Sequence, residues 1–300
     1  MNLYHETRKI LTDNMEEGEA SAIALLLLDK VAGLDRVHAL MGDDSPRREE
    51  LMLMAHRIAD GEPVQYVLGE ADFCGLTFHV APGVLIPRPE TEELVEWVAD
   101  THSLPKEEHG LSSEERGLLN EEHTLPNGLR LLDIGTGSGC IAISLAKKLP
   151  AAEVEAWDVS DDALRIAGEN AVDNGVEVKL KKVDVLTFDV AADMRQSFDV
   201  IVSNPPYICR KEAASMLPNV LSHEPHLALF VPDDDPLLFY RRIAQLALQM
   251  LRPQGQLFFE INRLYGQPAI DMLRSLGYSD IQLRKDQFGN DRMIHACLTQ

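Results

Sequence analysis

Short apolar runs and helical stripes take turns along the second half of the chain. Seven runs have the length and composition of buried strands, and most are separated by segments with helical periodicity. The predicted strands are 129–134, 154–157, 176–182, 198–203, 256–261, 281–283 and 293–298, and the main predicted helices are 141–148, 161–174, 236–251 and 266–276. Repeated strand–helix–strand units predict an α/β fold with a mainly parallel seven-stranded sheet and helices on both faces.

The first part of the chain has helical periodicity without strands. Apolar stripes predict helices near 22–31, 37–41 and 51–58, the last beginning at Ser45-Pro46, where serine suits the N-cap and proline the first turn. From 64 to 87, alternating apolar residues and spaced glycines predict a β-hairpin, with Val64, Tyr66 and Leu68 in its first strand. We expect a small helical domain at 1–62, a β-hairpin linker at 63–87 and a larger α/β domain at 88–300.

One stretch of the predicted α/β domain does not fit the alternation of strands and helices. Residues 100–128 are polar and acidic, with several Glu-Glu pairs and no sustained apolar stripe. Such a composition cannot bury enough apolar surface to fold as a core element. We expect an exposed acidic insertion.

Charge and cysteine content narrow the function classes. The formal net charge of −21 leaves little reserve for neutralising the phosphates of duplex DNA. The four cysteines form no C-x-x-C pair, which argues against zinc and for a reducing compartment. The start carries no signal-peptide pattern, and the apolar segment 20–28 is too short to cross a bilayer. We expect a cytoplasmic protein that binds no metal, membrane or DNA.

The chain is organised around Ser203-Asn204-Pro205-Pro206-Tyr207, which follows a predicted buried strand. The two prolines end the strand, because proline lacks the N–H that a ladder needs. An amide, rigid backbone carbonyls and an aromatic ring are thereby presented at the carboxyl end of a strand, where open α/β sheets bind ligands. The side-chain oxygen of Asn204 and the carbonyl oxygen of Pro205 are two acceptors beside the flat ring of Tyr207. This arrangement suits a planar –NH2 group, either a side-chain amide or the exocyclic amine of a base.

The glycine turn 135–139 indicates a nucleotide cofactor. A strand, a Gly-x-Gly-x-Gly turn, a helix and then Asp158 at the end of the next strand form a cofactor-binding layout, in which the carboxylate accepts from ribose hydroxyls. The spacing departs from that of dinucleotide sites, and a carboxylate at Asp133 would repel phosphate. Both features favour a cationic ligand without a pyrophosphate, such as S-adenosylmethionine.

Together these motifs resemble a known family. Asp-Ile-Gly-Thr-Gly-Ser-Gly at 133–139, Ser-Asn-Pro-Pro-Tyr-Ile at 203–208 and Ile-Pro-Arg-Pro-Glu-Thr-Glu at 86–92 resemble the bacterial protein-(glutamine-N5) methyltransferases. Within these the chain is most similar to the release factor glutamine methyltransferase (PrmC/HemK) family. The segments 65–70 and 289–292 match as well, so the resemblance covers nearly the whole chain.

The resemblance implies a Rossmann-like class I methyltransferase fold and specific site residues. S-adenosylmethionine would bind at Gly135, Thr136, Gly137, Ser138, Gly139, Asp158, Asp184, Val185 and Asn204. The substrate glutamine, in a Gly-Gly-Gln peptide of a class 1 release factor, would bind at Asn204, Pro205, Pro206 and Tyr207, with Asn204, Pro205 and Tyr207 catalytic. The helical domain would recognise this substrate, and the enzyme would act as a monomer. Val185 stands where some relatives carry an aromatic residue, and the acidic insertion is longer than the family pattern.

Other functions remain open at this point. A ribosomal protein L3 glutamine methyltransferase would share the chemistry, and the N-terminal region argues against it. An adenine-N6 nucleic-acid methyltransferase would share Asn-Pro-Pro-Tyr, and the net charge of −21 disfavours it. A non-catalytic binding module is disfavoured by the intact motifs. The neighbouring His-Glu-Pro-His at 223–226 is interpreted as part of a substrate loop, not as a catalytic dyad.

Overall fold

A seven-stranded sheet forms the centre of the second half of the chain. The computed structural model describes residues 2–42, 44–103 and 128–298. The strands of this sheet are β3 (Arg130–Ile134), β4 (Glu153–Asp158), β5 (Lys179–Lys182), β6 (Phe198–Ser203), β9 (Leu251–Glu260), β10 (Tyr278–Lys285) and β11 (Asp291–Leu298). Their order is β10-β11-β9-β6-β3-β4-β5, and only β11 runs antiparallel to both neighbours. The predicted α/β fold with a mainly parallel seven-stranded sheet is confirmed.

Helices cover both faces of this sheet. They are α6 (Pro89–His102), α7 (Cys140–Lys148), α8 (Asp161–Asp173), α11 (Leu238–Met250) and α12 (Gly266–Ser275). Successive strand residues point to opposite faces, so Leu131 packs in one apolar core with α6 and α7, whereas Leu132 packs in the other with α11 and α12. The two cores hold the central strands rigid, and the ends of those strands carry the site described below.

The N-terminal helices form a separate core. They are α1 (Leu3–Thr12), α2 (Glu17–Ala32), α3 (Arg36–Met41), α4 (Arg48–Ala59) and α5 (Val64–Leu68). Leu11, Leu27, Leu28 and Leu51 are fully buried among them. Helix α4 begins later than its sequence predicts, because Ser45 caps a turn instead, accepting from the N–H of Arg47 at 3.2 Å.

The hairpin prediction was right in kind and wrong in extent. Strands β1 (Glu70–Phe73) and β2 (Leu76–His79) form a two-stranded sheet, but residues 64–68, predicted as a strand, form α5. The alternation of Val64, Tyr66 and Leu68 was misleading, because Tyr66 and its neighbour Val67 are both buried. Adjacent residues of a strand would face opposite sides.

The predicted acidic insertion lies mostly outside the described residues. Of its span, 104–127 is not described. Its first residues, 100–102, belong to helix α6. Of the smaller elements, β7 (Ile208–Cys209) pairs with β8 (Phe230–Val231), while α9 (Pro218–His223) and α10 (His226–Leu229) lie between them in sequence.

The chain divides into two compact units. The first contains Met1–Glu70, Val80–Pro82 and Ser215–Glu224, and the second contains Ala71–His79, Gly83–Ala214 and Pro225–Gln300. The first unit is therefore not contiguous in sequence, since the segment that holds α9 joins the N-terminal helices. The sheet, the glycine turn and Asn-Pro-Pro-Tyr all belong to the second unit.

Candidate active site

Three parallel strands bring the predicted site residues to one edge of the sheet. β3 pairs with β4 on one side and with β6 on the other, so that Ile134 is level with both Trp157 and Ser203. The glycine turn, Asp158 and Asn204 each come at or directly after these strand ends. Because the strands are parallel, all three groups emerge at the same edge.

The glycine turn is held by backbone hydrogen bonds to the next strand. The N–H groups of Gly135 and Thr136 donate to the carbonyl oxygen of Trp157 at 2.8 and 3.0 Å. The φ angles at Gly135, Gly137 and Gly139 are 77°, 56° and 83°, left-handed values that glycine adopts without strain. A Cβ on Gly139 would lie 2.8 Å from Cδ1 of Ile143, so α7 packs directly against the turn.

Asp158 is positioned by two backbone donors. Its Oδ2 accepts from the N–H of Gly137 and its Oδ1 from the N–H of Ser160, both at 2.9 Å. These bonds link the carboxylate to the glycine turn and to the start of α8. Each carboxylate oxygen can accept more than one hydrogen bond, so Asp158 keeps capacity for the hydroxyls of a ligand.

A cavity of about 490 Å³ opens at this edge of the sheet. The residues that line it include the polar or glycine positions Gly135, Gly137, Asp158, Asp184, Ser203 and Asn204, and the apolar residues Val159, Val183, Val185, Leu186, Phe239 and Ile243. Pro205, Pro206, Pro225, Leu227 and Ala228 lie at the same cavity. Close backbone approach at the glycines, a carboxylate for hydroxyls and an apolar slot for a flat ring fit S-adenosylmethionine.

The Asn-Pro-Pro-Tyr segment is anchored at both ends. The hydroxyl of Ser203 donates to the carbonyl oxygen of Ile134 at 2.6 Å, and the side-chain amide of Asn262 donates to the carbonyl oxygen of Tyr207 at 3.1 Å. Between them, Nδ2 of Asn204 donates to Oγ1 of Thr91 at 3.3 Å. The amide oxygen of Asn204 is the opposite end of the same planar group, and the residue lines the cavity.

A buried carboxylate lies behind this segment. Glu260, the last residue of β9, is 1% exposed. Its Oε2 accepts from the hydroxyl of Thr91 at 2.6 Å and its Oε1 from the hydroxyl of Tyr207 at 3.1 Å. Burial raises the pKa of Glu260, while the bond from Thr91 and the charge of Arg292 oppose that rise. Burial likewise raises the pKa of the Tyr207 hydroxyl, and the charge of Glu260 adds to the effect.

Asp133 lies beneath the glycine turn and is not among the residues that line the cavity. It is 1% exposed, and its Oδ2 accepts from the hydroxyl of Thr136 at 2.6 Å. Burial raises the pKa of Asp133 to about 7, although the bond from Thr136 opposes the shift. Its direct role is therefore to hold the turn, whereas the sequence had suggested a carboxylate for a cationic ligand.

Comparison with known proteins identifies the family. Residues 2–69 match the model of the PrmC N-terminal domain, and 118–226 match that of the methyltransferase small domain. The release factor glutamine methyltransferase of Bacteroides thetaiotaomicron is 45% identical over 293 residues, covering 96% of each chain. That of Flavobacterium psychrophilum is 44% identical over 95% of this chain and 94% of the relative. The chain belongs to the release factor glutamine methyltransferase family.

Members of this family are S-adenosylmethionine-dependent methyltransferases, and this chain has the corresponding class I fold. A solved structure titled as the hMettl16 catalytic domain in complex with MAT2A 3′UTR hairpin 1 superposes with a TM-score of 0.55 and 18% identity. The match covers 82% of this chain and 80% of that one. At this identity the likeness bears on the fold alone.

The cavity collects most, but not all, of the predicted site residues. Gly135, Gly137, Asp158, Asp184, Val185, Asn204, Pro205 and Pro206 line it. Thr136, Ser138 and Gly139 are not among its lining residues; the first two are 4% and 1% exposed. They shape the turn from behind. Tyr207 lies next to the lining residues, with its hydroxyl directed to Glu260. Asp184 also stabilises its own turn, accepting from the N–H of Leu186 at 3.0 Å.

Sequence reasoning missed Glu260, Thr91 and Asn262. Thr91 lies in the first turn of α6, and its segment, 86–92, entered the sequence analysis only through the family resemblance. Glu260 ends the apolar run 257–259, and a carboxylate at the end of a predicted buried strand was the available signal. Asn262 follows two residues later and supports the backbone of Tyr207. The residues that they contact are distant in sequence, so the periodicity of the sequence could not predict these hydrogen bonds.

Metal-binding clusters and membrane-spanning helices were both sought in the part of the chain that the structure describes. No group of three or more His, Cys, Asp or Glu side chains within 2–42, 44–103 and 128–298 has the arrangement of a metal site. No helix in the same residues is long and apolar enough to span a membrane. The His-Glu-Pro-His segment is split by the fold, because His223 ends α9 whereas His226 begins α10.

Proposed function

We propose that this enzyme transfers a methyl group to the side-chain amide nitrogen (N5) of the glutamine in the Gly-Gly-Gln motif of class 1 peptide chain release factors. The relatives at 45% and 44% identity are named release factor glutamine methyltransferases, which supports the proposal. The observation that carries the proposal is the orientation of Asn204. Its amide –NH2 donates to Thr91, which leaves the amide oxygen as the end for the substrate, and the residue lines the cavity.

An acceptor pair suits a glutamine amide. The amide oxygen of Asn204 and the carbonyl oxygen of Pro205 would accept the two N–H bonds of the substrate –NH2 group. A glutamine amide is a poor nucleophile, because its nitrogen lone pair is shared with the carbonyl. Holding both N–H groups out of plane turns the lone pair toward the methyl group and favours a pyramidal nitrogen. Tyr207 would support the flat face of the substrate amide.

The residues of the chain contribute position and fixed dipoles to the reaction. S-adenosylmethionine, when bound, supplies a methyl group on a positively charged sulfur. Gly135, Gly137 and Asp158 would hold it, with apolar lining residues available for the adenine. Asn204 and Pro205 would align the substrate nitrogen with this methyl group, so positioning would supply much of the rate. The nitrogen loses its proton to solvent after transfer, and no general base is required beforehand.

The protein substrate needs a surface as well as a cavity. We assign its recognition to a helical domain at 1–62, joined through a hairpin linker at 63–87 to the methyltransferase domain at 88–300. Residues 2–69 match the PrmC N-terminal domain, which supports this assignment. The enzyme would act as a monomer on release factors in the cytoplasm and would bind neither DNA nor membrane. The net charge of −21 supports a protein partner over a nucleic acid.

The test is mass spectrometry of a release factor after incubation with the enzyme and isotopically labelled S-adenosylmethionine. We expect one added methyl group on the glutamine of Gly-Gly-Gln and none on a release factor in which that glutamine is replaced by asparagine. Ribosomal protein L3 and an adenine-containing duplex DNA are the competing substrates. Methylation of L3 or DNA at a rate that equals or exceeds that of the release factor would overturn the proposal.

A further inference from the structure

Asn204 can serve the proposed reaction only if its amide has one particular orientation. The side chain carries an acceptor oxygen and a donor –NH2 on the same planar group. The substrate –NH2 must meet the oxygen, because two –NH2 groups facing each other cannot form a hydrogen bond. A rotation of about 180° around the last bond of the side chain would exchange the two ends. Something in the protein must therefore distinguish them.

The hydroxyl of Thr91 makes this distinction. A threonine hydroxyl has one proton to donate and lone pairs to accept. Its oxygen lies 2.6 Å from Oε2 of Glu260 and 3.3 Å from Nδ2 of Asn204. An ionised carboxylate is an acceptor only, so the single proton of Thr91 goes to Glu260. Toward Asn204, Thr91 can then only accept, and it selects the –NH2 end of the amide.

We propose that Glu260 is a positioning residue that, through Thr91, sets the orientation of the Asn204 amide so that its oxygen faces the substrate. The same carboxylate holds Tyr207, because its other oxygen accepts from the tyrosine hydroxyl at 3.1 Å. One buried group thus orders both the acceptor and the ring of the Asn-Pro-Pro-Tyr segment. This inference rests on the proposed function, because it concerns the orientation that amide methylation requires.

The surroundings of Glu260 are built to hold a carboxylate inside the protein. Thr91 and Glu90 face it from α6, Tyr207 from the loop after β6, Tyr240 from α11 and Arg292 from β11. Nε of Arg292 also donates to Asp286 at 3.1 Å. The charge of Arg292 favours ionised Glu260, whereas burial and Glu90 disfavour it. The donors Thr91 and Tyr207 compensate part of the cost of burying the charge.

The decisive variants change the hydroxyl of Thr91. Thr91→Val keeps the size and shape of the side chain and removes the hydroxyl, so Asn204 loses the group that distinguishes its two ends. We expect kcat on a release factor to fall about 10–100-fold, the range known for outer partners of metal-ligating side chains, with KM and S-adenosylmethionine affinity unchanged. Thr91→Ser restores the hydroxyl and should recover most of kcat. Ser197→Ala, which removes another buried hydroxyl of the second unit away from the cavity, is the control.

The pH dependence tests Glu260 itself. The relay works when Glu260 is ionised, so the kcat of the wild type should fall as pH falls through the raised pKa of this carboxyl. In Glu260→Gln the side chain carries its own –NH2 and can donate to Thr91, so the hydroxyl of Thr91 can either accept from the –NH2 of Asn204 or donate to its oxygen. For this variant we expect a lower kcat that no longer falls as the pH falls. The control is Glu155→Gln, which changes a buried glutamate that accepts from Trp157 in β4 and should leave the fall of kcat at low pH unchanged.

A measurement without catalysis separates this inference from the proposed function. The side-chain –NH2 signals of Asn204, assigned by their loss in Asn204→Asp, report its hydrogen bond to Thr91 by NMR. We expect slowed exchange in the wild type and Thr91→Ser and faster exchange in Thr91→Val. Equal exchange in all three, or a Thr91→Val enzyme with wild-type kcat, would overturn the relay. A wild-type enzyme that leaves release factors unmethylated would instead overturn the proposed function, whatever the NMR result.

Discussion

The role of Asn204 depends on the side chains around it as much as on its own chemistry. An isolated asparagine offers a donor and an acceptor equally, and the sequence predicted that the acceptor faces the ligand without a partner that holds it there. In the folded protein, Thr91 occupies the donor end. The same principle applies to Asp133, which looked like a ligand-binding carboxylate and is engaged in holding Thr136. At the scale of single residues, the bonding partner decides the function.

Removing the Asn204 amide should affect the chemical step more than cofactor binding. In Asn204→Ala the substrate loses a preorganised acceptor, and we expect kcat to fall by about 10²–10³, by analogy with the loss of one oxyanion-hole partner. Steady-state kinetics on a release factor and calorimetry with S-adenosylmethionine give the two quantities. Tyr207→Phe should be milder than Tyr207→Ala, because the ring supports the amide face. Near-normal kcat in Asn204→Ala would show that the segment is only a turn.

Replacement of Asp133 should change how stability depends on pH. The pKa of its carboxyl rises from the ordinary value of 3.8 in the unfolded chain to about 7 in the folded protein, because the group is buried. Between these two pKa values the folded state keeps a proton that the unfolded state releases. The contribution of Asp133 to the stability of the folded state is therefore fully present below about pH 4 and is lost as the pH rises through about 7. The shift of roughly three units corresponds to on the order of 4 kcal/mol.

Asp133→Asn removes this dependence, because the asparagine side chain stays neutral. Urea denaturation from pH 5 to pH 8 should show the variant gaining stability relative to the wild type as pH rises. Asp271→Asn, at an exposed aspartate of α12, controls for the loss of one carboxylate. Parallel pH curves for wild type and Asp133→Asn would contradict the assignment.

At the scale of elements, most of the fold and part of the candidate site could be predicted from the sequence. Short apolar runs and the glycine turn located the strands and the residues at their ends, and parallel strands bring such ends to one edge of the sheet. Thr91 and Glu260 could not be paired in advance, because 169 positions separate them and their contact depends on how α6 packs against β9. Helix α5 was mistaken for a strand, since a five-residue segment is too short for its period to decide between the two.

Because α7 packs against the glycine turn, we expect the addition of one methyl group at Gly139 to lower the stability of the folded protein. Alanine at Gly139 would take a left-handed conformation, about 1–2 kcal/mol unfavourable. Its Cβ would also crowd Ile143 at 2.8 Å and Ala167 at 3.1 Å, adding about 1–3 kcal/mol. Gly175→Ala has the same backbone strain with open space around the Cβ. Thermal unfolding should rank Gly139→Ala below Gly175→Ala, and only the former should weaken S-adenosylmethionine binding. Equal effects would mean that the contact with α7 does not constrain the turn.

At the scale of the whole molecule, the chain consists of two compact units and has a formal net charge of −21. The first unit includes Ser215–Glu224 as well as the N-terminal helices. Deleting the N-terminus would therefore remove the partners of a segment that stays in the chain. Surface substitutions give a cleaner test of what the first unit does.

Helix α3 offers such a surface. Val37, Leu40 and Met41 are 61%, 48% and 77% exposed, and their i, i+3, i+4 spacing places them on one face of the helix. A cluster of exposed apolar residues on one helix is typical of a binding surface for another protein. Under the proposed function, that protein is the release factor.

The double variant Val37→Gln/Met41→Gln tests this role of the first unit. Truncating apolar anchors of an interface costs about 1–2 kcal/mol or more, so we expect KM for the whole release factor to rise about 5–30-fold. The kcat, the S-adenosylmethionine affinity and any slow reaction on a Gly-Gly-Gln peptide should stay at wild-type values, because the cavity is unchanged. Val172→Gln, at a residue 78% exposed on α8 in the second unit, is the matched control and should leave KM unaltered. Equal losses on the whole protein and on the peptide would show that α3 supports the fold and does not bind the substrate.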